Sequence, residues 1–234
     1  MILSNDKNDQ LKINEKLTVE DPFLDQLEEP GWEVIRLQQN QDPADSFRTS
    51  FDQVILRPKL EAALRRINPF LHNEQVEEVI RRLTNLPHTS LIENNQAVLR
   101  LLLENTSVAR NHNSGQKSPT VRYIDFRPGN LDNNSFTAIC QFKVRIPGTD
   151  HHIVPDIVLF LNGLPVGIIE CKSPKVKEPI AEAIDQLLRY SQQRGAPGEG
   201  NPELFYTNQF LVATCRTKAR FGTITTNKEK RYSH

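Results

Sequence analysis

Glu170 and Lys172 stand two apart at the end of the run VGIIECK (166–172), and Pro155-Asp156 opens a second apolar run, VPDIVLF (154–160). Asn162-Gly163 joins the two, a dipeptide that favours the left-handed turn of a β-hairpin. Antiparallel strands joined in this way bring Asp156 and Glu170 to the same end of a sheet. Side chains alternate along a strand, so Glu170 and Lys172 share a face, while Cys171 points away and leaves its backbone carbonyl at the same edge. Two carboxylates and a carbonyl form an all-oxygen set suited to a hard cation such as magnesium. Lys172 adds a positive charge near an attacking water and near charge developing on a phosphate, as metal-assisted phosphate hydrolysis requires. Asp156, Glu170 and Lys172 are therefore the candidate catalytic residues, and Asp156, Glu170 and the Cys171 carbonyl the candidate metal ligands.

Taken singly, each residue has a plainer reading: Pro-Asp is commonly a turn, and a Glu or Lys at a strand end commonly reaches water. The flanks weigh against it. Both strands are apolar on both faces, which marks them as buried, and unpaired charge is costly there. Register sets a condition on the site. A two-residue Asn162-Gly163 loop pairs Leu161 with Leu164, and continuing that ladder places Asp156 opposite Ile169, with the carboxylates on opposite faces. Convergence needs an odd loop, such as Asn162 to Leu164, or a bulge that shifts the ladder by one. Pro165 cannot donate to the ladder and favours an irregular start.

The elements that must hold this hairpin follow from periodicity. A helix is expected near 21–29, with Asp21 as N-cap, Pro22 in its first turn and Pro30-Gly31 as its stop. A polar stretch follows. Apolar residues then recur at helical intervals in three segments: Leu60, Leu64, Ile67; Val76, Val79, Ile80, Leu83; and Val98, Leu99, Leu102, Leu103. Residues 107–120 read as a loop. Strand-like runs occupy Val121–Phe126, Phe136–Ile146, Val154–Leu161, Pro165–Cys171 and Phe210–Thr214, with one helix inserted at about 177–194. On that helix Gln186 and Tyr190 share a face with Glu182, an arrangement able to present an amide and a phenol to DNA phosphates. The plainer reading is a polar helix side with a half-buried tyrosine. The whole predicts one domain over 1–234, mainly helical over 21–106 and sheet-bearing over 120–234, of the α/β or α+β layered kind.

Bulk properties narrow the class. The 234 residues are 37% hydrophobic and 25% charged with a formal net charge of zero, so nucleic acid cannot be held by overall charge. Charge is unevenly placed: residues 1–33 carry nine Asp/Glu against three Lys/Arg, and 216–231 carry six Lys/Arg against one Glu. Solvated termini are the plain reading and a DNA-facing surface the other. Cys140, Cys171 and Cys215 lie far apart without metal-ligand spacing and read as reduced core thiols of a cytoplasmic protein. His151-His152 lacks a Cys/His partner at zinc spacing and reads as loop. No signal peptide or membrane span is expected.

The order VPDIVLFLNGLPVGIIECKSP (154–174), EAIDQLLRY (182–190), LFYTNQFLVAT (204–214) and FGT (221–223) resembles the amino-terminal region of type I restriction enzyme R subunits, of the PD-(D/E)xK nuclease superfamily. VILRPKLEAALRRINPFL (54–71) and Tyr123-Ile124-Asp125-Phe126 extend the resemblance over nearly the whole chain. It implies a restriction-endonuclease-like fold, a mixed β-sheet flanked by helices with an N-terminal helical region. It also implies double-stranded DNA as substrate, magnesium as cofactor, and modification and specificity subunits as partners. Asp156, Glu170 and Lys172 then take the catalytic positions, and Gln186 and Tyr190 match the family's Q-x-x-x-Y motif. The class often adds a glutamate on an upstream helix; Glu20 is the candidate, although a helix capped by Asp21 leaves it outside. An ATP-driven motor is implied downstream, and its phosphate-binding motif is not among these residues. Two alternatives stay open: a catalytically silent docking domain with the same fold, and a nuclease of this class from another repair or defence system.

Overall fold

In the computed structural model, residues 10–11, 15–109, 113, 115–226 and 232–233 are described. A π-helical turn, Lys16–Glu20, runs directly into helix α1, Asp21–Glu28. Strand β1, Glu33–Arg36, follows, and then three helices: α2, Arg57–Ile67; α3, Asn73–Thr84; and α4, Leu91–Glu104. The remaining sheet strands are β2, Phe136–Cys140; β3, Ile157–Leu161; β4, Leu164–Cys171; β5, Phe210–Cys215; and β6, Lys218–Gly222. Helix α5, Pro179–Tyr190, connects β4 to β5. Strand order across the six-stranded sheet is the chain order, β1 to β6. The β1–β2 and β4–β5 pairs are parallel and the other three antiparallel, which makes the sheet mixed.

Three apolar clusters position the sheet. One face carries Ile139, Val158, Phe160, Ile168, Leu211 and Ala213 beneath Ala183, Ile184, Leu187 and Tyr190 of α5. The other carries Ala138, Cys140, Ile157, Leu159, Ile169 and Cys171 against Val19 and Leu24. A third joins α2, α3 and α4 around Leu60, Leu64, Val79, Ile80 and Val98. Leu60, Leu64 and Val98 are fully buried, each contributing about 1.5–3 kcal/mol by leaving water. Every residue of β4 is buried, as strands covered on both faces must be.

The three central helices match the apolar spacing, except that Leu103 is exposed. Pro58 sits in the first turn of α2, where its missing N–H costs no intrahelical hydrogen bond. Four expectations need correction. Asp21 is helical and no N-cap: its N–H bonds to the Lys16 carbonyl, five residues back. The wider π turn absorbs Pro22, which has no N–H to give, so Glu20 belongs to the helical segment. The polar stretch after Gly31 contains β1, an edge strand whose half-exposed pattern gives no apolar alternation. Strand β6 escaped notice because it is a mostly exposed edge strand rich in charge. The Val121–Phe126 run is strand only at its start, where Thr120–Val121 pairs with Thr106–Ser107, so residues 107–120 are not wholly loop.

Residues 227–231, part of the basic run, lie outside the described residues. No described helix is long and apolar enough to cross a membrane. All three cysteines are buried and free.

Candidate active site

The hairpin turn is the two-residue kind. Leu161 pairs with Leu164, and Asn162 and Gly163 adopt φ of 53° and 80°. A side chain at Gly163 would meet the Leu56 carbonyl at 2.5 Å, so glycine is required by both conformation and space. Asn162 is fully buried. It donates to the Tyr123 carbonyl and to Asn134 Oδ1, each at 2.9 Å, and accepts from the Ser135 N–H, which pins the turn to the 123–135 segment. Phe160 pairs with Pro165, but Leu159 then pairs with Gly167. Val166 is the extra residue. The ladder continues as Val158 with Ile168 and Ile157 with Ile169, so the next pair of positions is Asp156 and Glu170. The required shift is therefore made by a bulge just after Pro165, and the loop stays even.

This register brings the expected residues together. Asp156 Oδ2 accepts the Cys171 N–H at 2.8 Å, and Oδ1 accepts from Gln141 Nε2 at 3.2 Å. Lys172 Nζ donates to Glu170 Oε1 at 2.8 Å and to the Cys171 carbonyl at 2.9 Å. Asp156, Glu170 and Lys172 are all buried. Glu170 Oε2 is buried with no hydrogen-bond partner among the described residues.

Two carboxylates arrive from the opposite sheet face. Glu20 is buried, and its Oε2 accepts from Cys140 Sγ at 3.2 Å and Gln141 Nε2 at 3.1 Å. Glu15 Oε2 accepts the Ser173 N–H at 2.8 Å. Oxygens of Glu15, Glu20 and Asp156 lie within 4.8 Å of one another. Sequence reading missed Glu15 and Gln141. The five-residue spacing of Glu15 and Glu20 is the signal that existed, since hydrogen bonds of i→i+5 reach bring such residues to one side. Gln141, with φ of 58° just past β2, spans Glu20 and Asp156 with its amide and has no such signal.

Four carboxylates thus face one ammonium. Burial raises the Glu170 carboxyl well above its ordinary range, with Asp156 adding to the rise and Lys172 opposing it. Burial likewise raises Asp156, against Lys172 and the Cys171 N–H. Glu15 and Glu20 are each pushed up to about 7, chiefly by burial. Burial works against the Lys172 ammonium, but Glu170 and Asp156 outweigh it and hold the lysine protonated. Clustered oxygen donors and the orphaned Glu170 oxygen fit a divalent hard cation held by Asp156 with Glu170 and the Cys171 carbonyl, or with Glu15 and Glu20.

Tyr190 is buried under the sheet, and its hydroxyl donates to the Val154 carbonyl at 3.1 Å and accepts from Gln186 Nε2 at 2.6 Å. Burial raises the phenol's pKa, and Glu170 and Asp156 raise it further. The Q-x-x-x-Y pair thus braces the segment that leads into Asp156. His152 is half-buried against the Phe51 ring at 5.5 Å, and no zinc set forms around it among the described residues.

A mixed sheet whose central bulged hairpin gathers buried carboxylates around a lysine defines the class to which comparison leads. Residues 12–230 match the family model described as type I restriction enzyme R protein N terminus, and the chain belongs to that family. It is 30% identical over 213 residues to the type I restriction enzyme HindI endonuclease subunit of Haemophilus influenzae, covering 91% of this chain and 19% of that protein. It is 25% identical over 225 residues to the putative type I restriction enzyme MjaIXP endonuclease subunit of Methanocaldococcus jannaschii, covering 96% of this chain and 21% of that protein. The chain therefore spans about a fifth of the length of these relatives.

Proposed function

We propose that this chain is the nuclease domain of a type I restriction R subunit and hydrolyses DNA phosphodiester bonds with magnesium. The bulge at Val166 carries the reading, because it sets Asp156 level with Glu170 at an edge where Lys172 and the Cys171 carbonyl also converge. Magnesium, when bound, would supply charge neutralisation at the phosphate and a more acidic water. Asp156, Glu170 and the Cys171 carbonyl are its proposed holders, with Glu20 reaching the same carboxylate cluster from the π turn. Lys172, whose ammonium form Glu170 and Asp156 favour, is proposed to serve as a cation that orients the water and meets charge on the phosphate. Its hydrogen bond to Glu170 keeps that cation at the metal edge. Gln186 and Tyr190 are proposed to fix the approach to Asp156 through Val154 and to present the Gln186 amide toward DNA.

The similarity of family further supports double-stranded DNA as substrate and modification and specificity subunits as partners in the full-length complex. ATP would serve only a motor elsewhere in such a protein. The test is plasmid nicking by this chain with magnesium, compared with EDTA and with a Lys172→Ala variant. Magnesium-dependent nicking that the variant lacks is expected. Equal nicking by the variant would overturn the assignment, and inactivity of both, alone and in the assembled complex, would favour the silent docking domain.

A further inference from the structure

The basic run that begins at residue 216 has no part in the site above. Its first half is the β5–β6 hairpin, and register relates it to the catalytic pair. Glu170 is the partner of Ala213 on β5, and Ala213 is the partner of Arg220 on β6. Cys215 pairs with Lys218, and Lys172, one step past the Cys171–Thr214 pair, is level with Cys215. Partners in a ladder point to the same face, so Lys218 and Arg220 emerge on the face that carries Glu170 and Lys172. Phe221 points the other way and stacks on Phe210, which packs against the opposite face. Two interstrand steps separate the rows by about 10 Å.

Helix α5 packs over Ala213 on that face, and its first turn faces the hairpin. A groove of about 720 Å3 lies there, lined by Lys177, Glu178, Pro179, Lys218 and Arg220 among others. Lys177 and Lys218 are exposed and Arg220 half-exposed, and none makes an ion pair among the described residues. Three cations face one carboxylate, Glu178, in a chain whose net charge is zero.

We propose that this groove is a track for the phosphate backbone of duplex DNA, with Lys177, Lys218 and Arg220 contacting phosphates that flank the one at Lys172. The inference rests on the nuclease reading and extends it from the scissile bond to the strand around it. Such contacts position the strand without reading its sequence. They also supply locally the attraction that the neutral chain lacks as a whole.

The test is binding of this chain to a labelled duplex of random sequence in EDTA, followed by fluorescence anisotropy across a salt series. A Lys177→Ala/Lys218→Ala/Arg220→Ala variant is compared with an Arg81→Ala/Arg100→Ala control on the distant helices, and thermal melting verifies that each is folded. Each lost phosphate contact lowers the slope of log K against log salt by about 0.9, so the groove variant should lose about 2 to 3 and the control none. An unchanged slope in the groove variant, or an equal loss in the control, would overturn the track. Nicking of plasmid by the unsubstituted chain with magnesium separates the two claims. A groove variant with reduced slope beside an unsubstituted chain that nicks neither alone nor in the assembled complex leaves the track standing as a docking surface and removes the nuclease reading.

Discussion

The Asp156 carboxylate accepts the backbone N–H of Cys171 at 2.8 Å, a bond across the hairpin that holds only while Val166 bulges from β4. With the nearby Lys172 ammonium, that bond offsets part of the cost of burying Asp156 beside Glu170. Asn at position 156 can still accept from Cys171 while removing a negative charge from a repelling group. Asp156→Asn should therefore fold at least as well as the parent chain. It should lose the rise in melting temperature produced by magnesium and at least about a hundredfold in nicking rate. A variant that keeps both the magnesium effect and cleavage would show that Asp156 holds no metal.

Among the described residues Lys172 is the cation paired with Glu170, and both are buried. Removing one partner of a buried pair leaves an uncompensated charge, which costs about 3–5 kcal/mol. Lys172→Ala should lose stability of that order in urea unfolding at pH 8, and the loss should shrink as pH falls and Glu170 takes up a proton. A Glu170→Gln/Lys172→Met chain should recover most of it and remain unable to cleave. Equal stability of Lys172→Ala and parent at pH 8 would mean that Glu170 is already neutral there.

Tyr190 spends its hydroxyl on Val154 and receives Gln186, so its part in cleavage is expected to run through the Asp156 segment. Tyr190→Phe should cost about 0.5–1.5 kcal/mol of stability and lower the rate of the bound complex while leaving duplex affinity unchanged. Weaker duplex binding at the parent's cleavage rate would instead place the phenol on a phosphate.

The helices and the central hairpin were legible because burial imposes a pattern: Val76, Val79, Ile80 and Leu83 line one helix face, and β4 is apolar on both faces up to Glu170. The need for either an odd loop or a bulge was legible too, from parity alone, although the choice of a bulge and its place at Val166 were not. Edge strands β1 and β6 escaped because solvent relaxes the alternation that marks a strand. Glu15 and Gln141 escaped for another reason. A π turn sets the first and a left-handed residue after β2 the second, and neither geometry leaves a periodic trace in the sequence.

Asp125 anchors the same hairpin from behind and makes the clearest pH prediction. It is fully buried, its carboxylate accepts from Arg127 and Asn133, and its backbone bonds Asn134, which in turn holds Asn162 at the turn. Hydrogen bonds from Arg127 hold the carboxyl far below its ordinary range, with Asn133 and the Arg127 N–H adding to them. A carboxylate with a depressed folded-state pKa contributes stability that is complete above its unfolded value, about 3.9, and disappears as pH falls toward the folded one. The parent chain should therefore lose melting temperature steeply below pH 4. Asp125→Asn, which keeps an acceptor but cannot titrate, should begin less stable at pH 7 and lose less on acidification, so the two curves converge. Arg127 is half-exposed and tolerates the loss of its partner, which confines the difference to the aspartate. Parallel melting curves from pH 7 to pH 2.5 would show that Asp125 titrates alike in both states and does not pin the turn through its charge.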